Sequence, residues 1–241
     1  MTSPLPRRLA GEAIGSFFLF ATVIGSGVMA DRLAGGNTAL ALLGNSLATG
    51  AMLFVLITML APLSGAHFNP AVSLISRWRG EITTQAMILY IFAQLGGGLL
   101  GVWMAHGMFE LPILQISSTA RTGLGQWLGE MVATFGLVLT ILGTARTHPR
   151  AVPASVALYI SAAYWFTSST SFANPAITIA RSLSDSFAGI APAHVPAFIA
   201  AQLAGAALAH CASKALFPRD DKAETSFQVS GNVQADRQCV T

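Results

Sequence analysis

Two tripeptides have residue types and spacing that could do chemistry: Asn69-Pro70-Ala71 and Asn174-Pro175-Ala176. Asparagine is a favoured helix N-cap because its side-chain oxygen accepts from the free N–H groups of the first turn. Proline suits the next position, where its fixed φ is already helical and its missing N–H is not needed. Alanine then propagates the helix. Each tripeptide therefore reads as a helix start, continuing through Val72-Ser73-Leu74-Ile75 and Ile177-Thr178-Ile179-Ala180. A helix start carries roughly half a positive charge, so two that converge oppose cations and protons. Their asparagine amides can offer donors to a passing hydroxyl. These features suit a neutral, hydroxyl-bearing solute. The plainer reading, a buried loop ending in a capped helix, leaves the duplication unexplained.

Three other residues carry chemistry in this neighbourhood. Glu12 and Glu130 are ionisable groups inside apolar stretches, and such groups usually face a cavity or a buried polar partner. His67 lies two residues before Asn69. A position lining a pore and a carbonyl-bonded core position are both open for it, and no second ligand is spaced to make it a metal site. Cys211 and Cys239 form neither metal-ligand spacing nor a convincing disulfide pair. No nucleotide-binding, catalytic-triad or zinc pattern occurs, so the expectation is no enzyme, no cofactor and no nucleic-acid partner.

The elements that must position these residues belong to a membrane protein. Of the 241 residues 53% are hydrophobic and only 10% charged, with mean hydropathy +0.61. So few charges cannot cover a water-facing surface of this size. A span needs about 20 mostly apolar residues. Six windows qualify: Leu9–Ala30, Thr38–Ala61, Thr83–His106, Gly125–Thr144, the short Ala151–Phe166, and Val195–Leu216. The apolar stretches after Asn69 and Asn174 are too short to cross and read as re-entrant half-helices. The expected fold is all-α, with six transmembrane helices and two half-helices.

The halves echo each other. Gly11-Glu12-Ala13 matches Gly129-Glu130-Met131, the tripeptides match, and Ala93-Gln94-Leu95 matches Ala201-Gln202-Leu203, at offsets of 118, 105 and 108. Three spans per half make the second half inverted, which places a substrate path at the repeat interface. The expected organisation is a segment 1–8, a channel domain 9–216 with repeats at about 9–106 and 125–216, and a polar tail 217–241. With six spans, ten lysines and arginines fall on one side and three on the other. Positive residues mark the cytoplasmic side, so both termini are expected there, in a plasma or inner membrane.

Ser64-Gly65-Ala66-His67-Phe68-Asn69-Pro70-Ala71-Val72, the second Asn-Pro-Ala, the early glutamate of each half and the repeated Ala-Gln-Leu resemble the aquaporin and aquaglyceroporin family over about residues 8–216. The resemblance implies a pore through each protomer of a homotetramer in the lipid bilayer, with Glu12 and Glu130 bracing the half-helix loops. It also implies an outer constriction of four positions: Thr49, Ala162, Ser171 and Ile177. The last stands where an arginine is usual. Losing a guanidinium removes five donors and a fixed charge, so the ring should be wide and admit more than water. Arg181, one turn beyond Ile177, reads as a solvated residue at the outer mouth rather than a displaced filter arginine. The stretch after Pro175 is similar to bacterial aquaglyceroporin-like channels associated with arsenic resistance, which implies glycerol, arsenite or methylated arsenicals, and water as permeants. Competing readings are a water and glycerol facilitator unrelated to arsenic, an ion-coupled secondary transporter, and a structural tetramer with a closed pore.

Overall fold

The structure is a computed structural model that describes residues 3–217. Among these described residues eight α-helices follow one another: α1 (Leu5–Leu33), α2 (Thr38–Ser64), α3 (Pro70–Trp78), α4 (Thr84–Met108), α5 (Leu124–Thr147), α6 (Val152–Phe166), α7 (Pro175–Arg181) and α8 (Val195–Leu216). Among the described residues, five of these are long and apolar enough to cross a membrane: α1, α2, α4, α5, and α8 with the short 3₁₀ turn before it. The expected fifth span, α6, has 15 residues and is preceded by a second 3₁₀ turn, Pro149–Ala151. At 1.5 Å per residue it is shorter than the hydrocarbon layer is thick. The irregular segment after Phe166 continues the chain toward Asn174.

The first helix starts at Leu5, four residues before the expected Leu9. Polar Arg7 and Arg8 do not end it, because a long arginine can lie along a helix with its head at the membrane edge. Arg8 stacks on the Tyr90 ring at 5.1 Å and donates through Nε to the Tyr90 hydroxyl at 2.7 Å. Beyond Phe217, the expected tail lies outside the described residues, Cys239 included.

Packing repeats the sequence echo. α1 lies against α2 and α4, and α5 lies in the same way against α6 and α8. The halves meet where α2 packs on α6 and where each half-helix reaches across, α3 to α8 and α7 to α4. Glycine sets the closest approaches. A Cβ on Gly97 of α4 would collide with the backbone of Ala13 in α1, and one on Gly205 of α8 with the backbone of Met131 in α5. Small residues at such crossings let helices approach backbone to backbone. Outside the bundle, Phe92, Leu158 and Leu100 are exposed at 68%, 71% and 57%. A surface of that kind suits lipid tails.

Candidate functional site

The chain before each half-helix is bent in the same unusual way. Ala66 and Phe68 have φ of 51° and 48°, and Ser171 and Ala173 have 52° and 48°. Left-handed backbone at non-glycine residues costs free energy and persists only where surrounding structure enforces it. Two buried carboxylates do the enforcing. Glu12 accepts from the His67 and Phe68 amides at 3.0 and 2.7 Å, from Ser64 Oγ at 2.7 Å and from Gln94 Nε2 at 2.8 Å. Glu130 accepts from the Phe172 and Ala173 amides at 2.8 and 2.9 Å and from Gln202 Nε2 at 2.5 Å. Each glutamine also donates to a hydroxyl on the half-helix, Gln94 to Ser73 at 3.0 Å and Gln202 to Thr178 at 2.8 Å. These two hydroxyls and the function of the echoed glutamines are not apparent from the sequence, although the shared offsets point to them.

The tips of α3 and α7 meet through the asparagines. Asn69 Oδ1 accepts from the Ala71 amide at 2.9 Å, and Asn174 Oδ1 from Ala176 and Ile177 at 3.0 and 3.3 Å. Pro70 and Pro175 occupy the first helical positions. Each side-chain nitrogen then crosses to the other half: Asn69 Nδ2 donates to the Ala173 carbonyl at 2.7 Å and Asn174 Nδ2 to the Phe68 carbonyl at 2.8 Å. An amide nitrogen has two hydrogens, so each asparagine keeps one donor rather than two for a passing molecule.

A cavity of about 280 Å³ passes these tips. Its lining includes Ser76, Glu81, Ala145 and Val152, the asparagine level of His67, Asn69 and Asn174, and Thr49, Tyr164, Ser171, Phe172, Ile177 and Arg181. His67 faces this space with its ring held by hydroxyls: Nδ1 is 3.0 Å from Ser73 Oγ and Nε2 3.3 Å from Ser76 Oγ. It lines the cavity, and its ring nitrogens meet hydroxyls rather than a carbonyl.

Three of the four expected ring positions come together here, Thr49, Ser171 and Ile177, all buried. Ala162 does not: it is exposed on the outside of α6. Its place on the wall belongs to Tyr164, two residues on, whose hydroxyl is 3.3 Å from Thr49 Oγ1. Two residues is about 200° of helix rotation, enough to move a side chain from lipid to cavity. The second correction concerns Arg181. It is not solvated but 2% exposed, and it lines the same cavity as Ile177. Its Nε donates to the Ala188 carbonyl and its guanidinium lies on the Phe172 ring, 3.3 Å from the centroid. The turn after α7 folds back over it, so a residue near a helix end is enclosed.

Two loops, 117–121 and 185–191, are tied together beyond α7 and form a lid-like clasp beside this end. Arg121, in the segment between α4 and α5, donates to the Gly189 carbonyl at 2.7 Å and the Phe187 carbonyl at 3.3 Å. Burial pulls its guanidinium below the usual arginine pKa. Asp185 accepts from the Ser118 amide at 2.9 Å and the Ser118 hydroxyl at 3.0 Å, which holds its carboxyl below the usual aspartate value. Among the described residues, no group of three or more His, Cys, Asp or Glu side chains is placed to hold a metal ion.

Comparison with known proteins agrees with this geometry. Residues 2–170 match the family described as major intrinsic protein. The aquaglyceroporin AqpS of Rhizobium meliloti is 54% identical over 205 residues, spanning 85% of this chain and 88% of that protein. A probable TIP-type aquaporin of Medicago truncatula is 34% identical over 143 residues, 56% of this chain and 55% of that one. The X-ray structure of the aquaglyceroporin from Plasmodium falciparum superposes with a TM-score of 0.66 at 24% identity, covering 89% of this chain and 98% of the other, and so shares the fold.

Proposed function

The chain belongs to the major intrinsic protein family of membrane channels, and on that footing we propose that it passes small uncharged solutes down their gradients between Asn69 and Asn174. The observation that carries this reading is the cavity past the two half-helix tips, with one free amide hydrogen on each asparagine. Its wall combines hydroxyls (Thr49, Tyr164, Ser171) with aliphatic groups (Leu53, Ile57, Ile177). A molecule with several hydroxyls on a compact frame matches that wall better than an ion, which would lose its hydration without replacement.

Glycerol and arsenous acid are such molecules, both neutral with three hydroxyls, and water is small enough to accompany them. The aquaglyceroporin name of the 54% identical relative supports glycerol. The uncharged Ile177 supports permeants larger than water. Glu12 and Glu130 are fully buried with their oxygens taken by amides, which favours a bracing role over a proton relay. Among the described residues, ion coupling of the kind a secondary transporter needs finds no free carboxylate at the asparagine level. The apolar outer faces fit a homotetramer in a plasma or inner membrane, with both termini in the cytoplasm on the arginine-rich side. The segment 9–216 acts as one channel domain of two inverted repeats.

The test is permeability in proteoliposomes, with arsenite, a methylated arsenical, glycerol and water run side by side. Gradient-driven flux of arsenite and glycerol is expected, with or without a proton gradient. Flux that saturates at low solute and stops when the proton gradient is collapsed would establish a transporter instead.

A further inference from the structure

The cavity contains an arginine that forms no ion pair among the described residues. Position 177 is an isoleucine, so the half-helix brings no cation at its third residue. One turn further, Arg181 reaches the same cavity. Its Nε is fixed by the Ala188 carbonyl and its planar head by the Phe172 ring. Among the described residues neither terminal nitrogen has a hydrogen-bond partner, and neither is sealed off from open space. Both therefore border the open cavity. Among the described residues the one ion pair joins Arg79 and Glu81. Glu130, which holds the same loop, is occupied by the Phe172 and Ala173 amides and by Gln202.

Phe172 carries a second cation. The Arg121 guanidinium lies 5.1 Å from the centroid of the same ring. It is tied to Gly189 and Phe187 of the turn that also supplies Ala188. One aromatic ring thus serves two arginines, and the negative face of a ring attracts a cation without neutralising it. Holding two like charges close to one another costs free energy, which the lid offsets with several carbonyl acceptors.

We propose that Arg181, seated on Phe172, is the specificity-determining cation of this pore: it repels cations and donates from its terminal nitrogens to the oxygens of a passing neutral solute. Arg121 reinforces the field from the lid without lining the cavity. The assignment deepens the channel reading and rests on it. The missing charge at position 177 is supplied from one turn away, leaving a passage in which an aliphatic side chain and a guanidinium face the solute at different levels.

The experiment compares proton leak with glycerol flux in proteoliposomes for the unaltered protein, Arg181→Gln, Arg181→Met and Arg181→Lys. Entrapped pH dye reports the leak and light scattering the glycerol. The ratio of proton to glycerol permeability is expected to rise about tenfold or more in both neutral variants, the response to losing one poorly screened unit charge. In Arg181→Lys it should stay within about threefold of the unaltered protein, because the ammonium keeps the charge. Restoring a guanidinium in the double variant Ile177→Arg, Arg181→Gln should bring the proton leak itself back down, read against water flux because the added bulk at position 177 slows glycerol. A ratio unchanged in neutral variants that assemble and still pass water overturns the assignment. Glycerol flux through the unaltered protein tests the channel reading separately.

Discussion

Glu130 shows how much one side chain can organise. Its two oxygens take the amides of Phe172 and Ala173 and the Gln202 side chain. Glu130→Leu leaves those donors buried without a partner, at about 1–3 kcal/mol each, whereas Glu130→Gln keeps one acceptor. Thermal unfolding in detergent should rank unaltered protein above Glu130→Gln above Glu130→Leu. Equal midpoints for all three would show that the left-handed turn holds without the carboxylate. At Ile177 the expected effect is on selection: Ile177→Arg adds bulk and five donors beside Thr49, so glycerol and arsenite flux should fall several-fold more than water flux. Equal loss for every solute would place the narrowest point elsewhere. The tripeptides and both glutamates left marks in the sequence, as caps, buried charges and repeated offsets, whereas Thr49 and Ile177 were reached only through the family resemblance. Ala162 was misplaced because α6 is apolar on every side: Leu158, Trp165 and Phe166 are as exposed as Val156, Ile160 and Tyr164 are buried. Hydrophobic periodicity vanishes when lipid replaces water outside. Arg181 was misread for a related reason, since nothing local in the sequence tells that the following turn folds over it.

Among the elements, α1 with α4 and α5 with α8 are the paired struts that hold the glutamates against the loops. Their contact depends on Gly97 and Gly205, where backbone meets backbone. Gly205→Leu would drive α8 from α5 and pull Gln202 off Glu130; overpacking of this sort costs about 1–3 kcal/mol or more. Loss of assembled protein on size exclusion is the expected result. Gly96→Leu, where added atoms would meet open space, should assemble normally. The lid element has its own signature. Asp185 has a folded-state pKa below its unfolded value, so its tie to Ser118 contributes stability above the unfolded value and is lost as pH falls through the folded one. Protection of the Ser118 amide, measured against its intrinsic exchange rate at each pH, is expected to fall only below the usual aspartate range, and Asp185→Asn should remove that pH step. Span positions were readable to within a few residues because lipid demands length; the lid, made of polar loop contacts between 117–121 and 185–191, has no periodic trace.

For the molecule as a whole, the proposed mechanism requires no large rearrangement per solute. The path past Asn69 and Asn174 is built from backbone pinned by buried carboxylates. Flux should therefore rise linearly with the glycerol gradient well beyond millimolar concentration and depend only weakly on temperature. A steep temperature dependence with early saturation would instead mark alternating conformations. The inverted repeat was visible from three short echoes, whereas the exchange of amide–carbonyl bonds between halves was not, since it depends on side-chain direction rather than on order along the chain.

That exchange has a consequence for synthesis. Asn69 finds its acceptor on Ala173, and the Phe68 carbonyl its donor on Asn174, 104 and 106 residues later in the chain. At about 5–20 residues per second, the newborn first half waits roughly 5 to 20 seconds with its re-entrant loop incomplete. During that interval, water or the insertion machinery must shelter polar groups that lipid cannot satisfy, so maturation is paced by the ribosome reaching the second asparagine.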